Sequence, residues 1–149
     1  MVIVVLALIE HDDRVLLIQE AKEPIRGQWN LPGGRVEPSE SLIDALVREV
    51  REEAGIEVTP QALLHVGQVV TDATEVGLLR FVFRATADTT TVKRDEDEHS
   101  LCAQWFERSD VHALNLRSSH VRRMVELAAS GAAALPISSV QSRARTGKL

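Results

Sequence analysis

Residues 34–56 read GRVEPSESLIDALVREVREEAGI, and this stretch decides the fold. Ser39 is the expected N-cap of a helix, because its hydroxyl can accept a hydrogen bond from a free amide of the first turn. Gly55 suits the C-terminal end, where a left-handed backbone is common. Between them an apolar stripe recurs at helical spacing, at Ile43, Val47, Val50 and Ala54. The sequence therefore predicts an amphipathic helix.

Three carboxylates share another face of this helix, because Glu49, Glu52 and Glu53 stand at i, i+3 and i+4. Like charges at this spacing repel each other by about 0.2–0.5 kcal/mol per pair on an exposed helix. Directly before the helix, the turn at residues 32–34 (Pro-Gly-Gly) brings backbone carbonyls close to the same place. Carboxylate and carbonyl oxygens are the ligands that Mg²⁺ prefers. The face is either a solvated acidic surface or a magnesium site.

The whole pattern resembles the Nudix box of the Nudix hydrolase family. That box is Gly, five residues, Glu, seven residues, Arg-Glu, an aliphatic residue, any residue, Glu-Glu, any residue, Gly and an aliphatic residue. Its fixed places are filled here by Gly34, Glu40, Arg48, Glu49, Val50, Glu52, Glu53, Gly55 and Ile56. A looser resemblance extends from about residue 2 to about residue 129. The resemblance implies hydrolysis of a phosphoanhydride bond with the help of a divalent cation.

The same resemblance implies roles for individual residues. Glu49, Glu52 and Glu53, with the Gly33 carbonyl, are the expected ligands of Mg²⁺, for which Mn²⁺ can substitute. Arg48 would orient Glu49, and Glu40 would belong to the same outer network. The cation would neutralise phosphate oxygens and activate the attacking water.

The base that deprotonates this water is left open. Glu52 and Glu53 are two candidates, and the acidic loop at residues 95–98 supplies the others. Within that loop Glu98 is preferred, because it lies nearest the strand that carries Trp105. His99 is a further alternative, since its side chain titrates near neutral pH.

Composition bounds the remaining questions. The chain has 149 residues, of which 44% are apolar and 26% charged, as in one ordinary globular domain. The net charge of −5 argues against a nucleic-acid coating protein but not against a nucleotide substrate. Cys102 is the only cysteine, so no internal disulfide forms and a reducing compartment is expected. The apolar run at Val2–Ile9 is too short to span a membrane and lacks the positive region of a leader, so a cytoplasmic enzyme, monomeric or homodimeric, is expected.

Strands interleaved with two helices predict an α/β fold, the Nudix α/β/α sandwich around a central mixed sheet. The predicted domain covers residues 1–130, and residues 131–149 are a tail that is flexible or packed on a partner subunit. The expected strands are Val2–Ile9, Val15–Gln19, Leu63–Thr71, Val76–Ala85 with a continuation or fraying at Thr86–Thr91, and Leu101–Phe106. The expected turns are His11–Asp13, Glu57–Gln61 around Pro60, and the hairpin turn Asp72–Glu75. The second helix is expected at His120–Ala129, capped by Ser119.

Markers outside the box narrow the substrate. The proline of ADP-ribose enzymes some way past the box is missing, and the chain has no Tyr, which the bacterial diadenosine-polyphosphate enzymes carry there. What remains resembles the MutT-type group, which acts on nucleoside di- or triphosphates. The runs Val15–Lys22, Gly27–Gly33 and Leu79–Phe83 are similar to the vertebrate 8-oxo-dGDP phosphatase subgroup, so oxidised guanine nucleotides are the leading hypothesis.

Several side chains are candidates for contact with this substrate. Trp29 either stacks on a base or packs under the glycine turn, and Phe81 and Phe83 alternate on one sheet face that lines either the core or a pocket. The full set of candidates is Arg35, Trp29, Phe81, Phe83 and Asn115, with Arg117 beside them. Two other functions stay open: a non-catalytic Nudix module that senses a nucleotide, and a hydrolase of another nucleoside diphosphate derivative such as a nucleotide sugar. The complete set of box carboxylates favours an enzyme.

Overall fold

The computed structural model describes residues 1–72 and 76–143. Its strands are β1 (Val2–His11), β2 (Arg14–Gln19), β3 (Trp29–Asn30), β4 (Gly33–Arg35), β5 (Val58–Val69), β6 (Leu78–Ala87), β7 (Cys102–Glu107) and β8 (Leu135–Pro136). Its helices are α1 (Leu42–Ala54) and α2 (Ser119–Ala129), with short 3₁₀ turns at Arg108–Ala113 and Ile137–Ser139. The predicted hairpin turn Asp72–Glu75 lies, apart from its first residue, outside the described residues.

The strands form one mixed sheet in the order β3-β2-β1-β6-β5-β8, with β4 paired to β1 and β7 paired to β2. The first hairpin is confirmed, because Asp12 and Asp13 form its turn at φ of 47° and 60°. Left-handed backbone at both central residues matches the twist of a two-residue hairpin. β1 then runs parallel to β6 and antiparallel to β4, so it lies at the centre of the sheet.

Alternation along β1 divides the core into two layers. Val5, Ala7 and Ile9 face α1, whereas Leu6 and Leu8 face α2. Each of these side chains is at most 6% exposed, and full burial of one aliphatic side chain contributes roughly 1.5–3 kcal/mol. The α/β/α sandwich with a mixed central sheet is therefore confirmed.

The bounds of both helices differ slightly from the prediction. Ser41, not Ser39, is the N-cap of α1, and its Oγ accepts a hydrogen bond from the Asp44 amide at 3.0 Å. Ser39 instead lies in the preceding turn with φ of 69°. Gly55 ends α1 at φ of 71°, as predicted. At α2 the cap position belongs to Ser118, one residue earlier than expected.

One prediction for the middle of the chain was wrong. The expected turn around Pro60 is the start of β5, where a register irregularity between Pro60 and Ala62 accommodates the proline. In the described part of the expected tail, residues 131–143, β8 pairs with β5 of the same sheet, and Ile137 and Val140 pack on the α1 side of the core. Packing of the tail on a partner subunit stays a prediction. Residues 144–149 lie outside the described part. Within residues 1–72 and 76–143, neither helix has the length and apolar character required to cross a membrane.

Candidate active site

The last two turns of α1 place three carboxylates against the glycine turn. The Gly33 amide donates to Glu53 Oε1 at 2.8 Å, and Glu53 is only 6% exposed. Gly34 lies against the Glu49 carboxylate so closely that a Cβ there would stand 2.5 Å from Glu49 Oε1. Glu52 is the most accessible of the three, with 32% of its side chain exposed. The helix and the turn therefore build one acidic corner.

Burial dominates the electrostatics of this corner. It raises the pKa of Glu53 well above its ordinary value, an effect that the hydrogen bond from Gly33 only partly offsets. Burial also raises the pKa of Glu49, against the lowering influence of Arg48. Burial thus disfavours the charged forms of Glu49 and Glu53, and a cation bound beside them would stabilise those charged forms.

Arg48 joins the carboxylates into a network. Its Nε donates to Glu40 Oε1 at 2.6 Å and its Nη2 to Glu40 Oε2 at 3.0 Å, a two-point contact. Its Nη1 donates to Glu49 at 2.9 Å and to Glu52 at 3.3 Å. A bond from Nη2 to the Arg35 carbonyl fixes the group to the glycine turn. Hydrogen bonding to Arg48 lowers the pKa of Glu40, so this pair is ionised.

The carboxylates do not converge on one point. Among the described residues no three Asp, Glu, His or Cys side chains are arranged to hold a metal ion. The reason is visible in the contacts, because Glu49 and Glu52 turn toward Arg48 while Glu53 turns toward the Gly33 amide. The donor set nevertheless fits a hard divalent cation, since it consists of carboxylate oxygens beside a backbone turn.

The acidic loop approaches the corner through an imidazole. His99 Nδ1 lies 3.6 Å from Glu52 Oε2, and its Nε2 lies 3.3 Å from Glu98 Oε1. The Glu98 side chain is 83% exposed. Glu98 thus reaches the α1 carboxylates through His99 rather than directly.

The predicted substrate contacts are placed less favourably. Phe83 is fully buried and Phe81 packs on the same core, both on the α1 side of the sheet, so the assignment of Phe83 to a substrate pocket was wrong. Trp29 packs edge-on against Phe106, with ring centroids 4.7 Å apart. Arg35 is exposed near the acidic corner, and Asn115 is exposed in the segment that follows β7.

A cavity of about 230 Å³ lies on the α2 side of the sheet, over β1 and β6, and most of its lining was not predicted from the sequence. It is lined by Val4, Leu6, Asn30, Leu78, Arg80, Arg117, Ser118 and His120. Because Val4 pairs with Arg35 and Leu6 with Gly33, its floor adjoins the glycine turn from behind. Burial, with Arg80 close by, lowers the pKa of His120 to about 4, so this imidazole is neutral at pH 7. The overlooked signal was Arg80, one of two arginines in the otherwise uncharged strand β6.

These features define the class of the protein: the chain belongs to the Nudix family, whose model, described as NUDIX domain, matches residues 1–127. Among curated proteins, the chain is similar to the 8-oxo-dGDP phosphatase NUDT18 of Homo sapiens, with 40% identity over 129 residues, covering 85% of this chain and 38% of that protein. It is also similar to the CTP pyrophosphohydrolase of Escherichia coli (strain K12), with 53% identity over 60 residues, 40% of this chain and 44% of that one. A NUDIX hydrolase structure from Nitrosomonas europaea aligns with a TM-score of 0.83 at 29% identity, over 95% of this chain and 97% of that chain. The chain therefore matches only 38% of the length of NUDT18 and 44% of the length of the CTP pyrophosphohydrolase.

Replacement of Arg48 by methionine is expected to lower kcat by about 10–100-fold, the usual cost of losing a group that orients metal ligands. The change also leaves Glu40 and Glu49 part-buried without their partner, so the free energy of unfolding falls by about 1–3 kcal/mol. Arg48→Lys keeps the charge but not the two-point contact and should be intermediate. Arg51→Met is the matched control, because Arg51 pairs with Glu57 at the exposed surface and should leave kcat unchanged. Steady-state kinetics and chemical denaturation measure both effects, and equal kcat for all three variants would contradict the orienting role.

Proposed function

We propose that this protein is a divalent-cation-dependent nucleotide pyrophosphohydrolase. The observation that carries the proposal is the position of three α1 carboxylates against the glycine turn, with a cavity of about 230 Å³ on the α2 side of the neighbouring strand β1. A nucleotide laid over β4 would place its base in the cavity and its phosphates at the acidic corner.

The residues that would hold the cation are Glu49, Glu52 and Glu53, with the Gly33 carbonyl. Bound there, Mg²⁺ or Mn²⁺ would supply positive charge for the phosphate oxygens and lower the pKa of a bound water. Arg48 orients Glu49 and Glu52, while the Gly33 amide orients Glu53. The three carboxylates thus stand on one helix face beside the turn, and their side chains would turn from Arg48 and the Gly33 amide to meet one ion.

Among the candidate bases, Glu52 is the best placed. Its carboxylate is partly accessible, and His99 beside it leads on to the exposed Glu98. The exposed side of Glu52 gives a water access to its carboxylate. Glu53, which accepts a hydrogen bond from Gly33 and is buried, suits cation binding better than proton removal.

The cavity favours a base with acceptor atoms. Arg80 and Arg117 present donors only, and a guanine edge offers the acceptors N7 and O6. Similarity to the 8-oxo-dGDP phosphatase NUDT18 points to oxidised guanine nucleotides, whereas similarity to the CTP pyrophosphohydrolase keeps a pyrimidine in view. We propose nucleoside di- or triphosphates as the substrate class, with 8-oxo-guanine nucleotides first among them. The cytoplasm as location, and a monomer or homodimer, stay predictions.

A phosphate and pyrophosphate release assay with Mg²⁺ tests the proposal. The panel contains nucleoside di- and triphosphates, plain and 8-oxo, and nucleotide sugars. We expect turnover of at least one nucleotide, and a loss of about 10²–10⁴-fold in kcat for Glu52→Gln, the range for removal of a general base. Glu126→Gln, on the exposed face of α2, serves as the control. If no member of the panel is hydrolysed, or Glu52→Gln equals the parent, the proposal is wrong.

A further inference from the structure

The loop between β6 and β7 closes the C-terminal end of α1. The last carbonyls of a helix have no partner inside it and need one elsewhere. Here the Glu52 carbonyl accepts from Lys93 Nζ at 3.2 Å, and the Glu53 carbonyl accepts from Ser100 Oγ at 2.6 Å. The Ala54 carbonyl accepts from the Lys93 amide at 2.9 Å. Two residues of one loop therefore bind three successive helix carbonyls.

Asp97 holds this loop in shape. Its Oδ1 forms an ion pair with Lys93 Nζ and accepts from the amides of His99 at 2.8 Å and Ser100 at 3.2 Å. The contact with Lys93 lowers the pKa of Asp97 to about 2, so the carboxylate is charged across the working pH range. We call Lys93, Asp97 and Ser100 the loop clamp.

The clamp connects the acidic corner to the sheet. The Lys93 carbonyl accepts from the Ala103 amide of β7 at 2.9 Å, so its position is fixed by a strand. Lys93 and Ser100 are themselves buried, with 12% of the Lys93 side chain and none of Ser100 exposed. The clamp therefore fixes the backbone of Glu52 and Glu53, whose side chains form the acidic corner, relative to β7.

We propose that Lys93, Asp97 and Ser100 are positioning residues for the cation site, and this inference rests on the function proposed above. Without the clamp, the last turn of α1 would lose the partners of its terminal carbonyls and fray. Glu52 and Glu53 would then shift together, and His99 would move away from Glu52. The clamp thus sets cation affinity although none of its three side chains contacts a carboxylate of the site.

The test is the affinity of the full-length protein for Mn²⁺ alone, measured by electron paramagnetic resonance without nucleotide, together with kcat and KM. Ser100→Ala and Lys93→Met are expected to weaken Mn²⁺ binding by about 10-fold or more and to lower kcat, with little change in KM. Ser130→Ala is a matched control, because its hydroxyl makes the same kind of bond, to Leu127 O at 2.7 Å, at the end of α2. Lys22→Met is the control for the lysine, and both controls should bind Mn²⁺ like the parent.

A purely structural role has a different signature. If the clamp only stabilised the fold, its variants would have a lower Tm in EDTA. Their Mn²⁺ dissociation constant would be unchanged at temperatures where every variant is folded, and that result would overturn the proposed positioning role. Lys93→Arg, which keeps the charged donor, should recover most of the affinity, and Asp97→Asn provides a milder variant should Ser100→Ala not fold. A parent that binds no Mn²⁺ overturns the proposed function and the clamp together. If the parent binds Mn²⁺ and hydrolyses a nucleotide, and the clamp variants match it in both, only the proposed role of the clamp is overturned.

Discussion

Replacement of Glu53 by glutamine is expected to remove activity and, at the same time, to stabilise the metal-free protein. Glutamine keeps an oxygen for the Gly33 amide, so the turn can remain in place. It removes a cation ligand, and the loss of kcat should be on the order of 10³-fold, similar to the removal of a preorganised electrostatic group. It also removes a carboxylate whose charged form is disfavoured by burial.

The stability effect depends on pH in a direction that follows from the raised pKa. Above the pKa of the unfolded chain, near 4.5, folded Glu53 retains a proton that unfolded Glu53 has lost. The folded state binds more protons there, so the wild-type free energy of unfolding falls as pH rises. The glutamine variant lacks this contribution. The free energy of unfolding of Glu53→Gln should equal that of the wild type near pH 4 and should exceed it increasingly toward pH 8, as measured by urea denaturation in EDTA.

Glu57→Gln is the control for this experiment. Glu57 is exposed and paired with Arg51, and that hydrogen bond lowers its pKa. The sign is therefore opposite: its contribution to stability is present above the unfolded pKa and is lost in acid. Glu57→Gln should keep full activity without gaining stability. A Glu53→Gln variant that turns over nucleotide like the parent would contradict the assigned role of Glu53.

Replacement of Gly33 by alanine is expected to destabilise the fold by more than about 3 kcal/mol, the range of steric and backbone lesions in a packed site. Position 33 has φ of 152°, which side chains rarely adopt, and a Cβ there would lie 2.1 Å from the Val5 carbonyl oxygen. That oxygen belongs to the central strand, so neither partner can move without disturbing the sheet. The hydrogen bond from position 33 to Glu53 would shift too, and activity should fall with stability.

Gly131→Ala separates the two causes. Gly131 also has a positive φ, of 70°, but a Cβ there would meet nothing within 4 Å. Its cost should be only the backbone term of about 1–2 kcal/mol. Thermal unfolding and denaturant titration of both variants measure the difference, which represents the contact with β1. Equal losses for the two glycines would show that this contact does not matter.

Local pattern was enough to predict the helix and its acidic face, because both depend on residues within four positions of each other. The cap was misplaced at Ser39 because two serines stand near the start. Ser39 has a left-handed backbone, whereas Ser41 is extended, accepts from the Asp44 amide and donates to the Asp44 carboxylate. Phe83 was wrongly included among the substrate contacts, because an alternating strand does not reveal which of its faces lines the core. The loop clamp and the cavity could not be predicted from the sequence at all. Each joins residues far apart in the chain, and their contacts exist only after the sheet has formed.

The separation of the cavity from the acidic corner affects how base preference can change within the family. The cavity lies on the α2 side of the sheet and the carboxylates lie on α1, so the residues that would choose a base are separate from those that would break the bond. Neither Arg80 nor His120 takes part in the hydrogen bonds that join α1 to the glycine turn. Substitutions in the cavity can therefore change the base preference while the residues at the acidic corner stay the same. The same separation can be used to redesign the base preference.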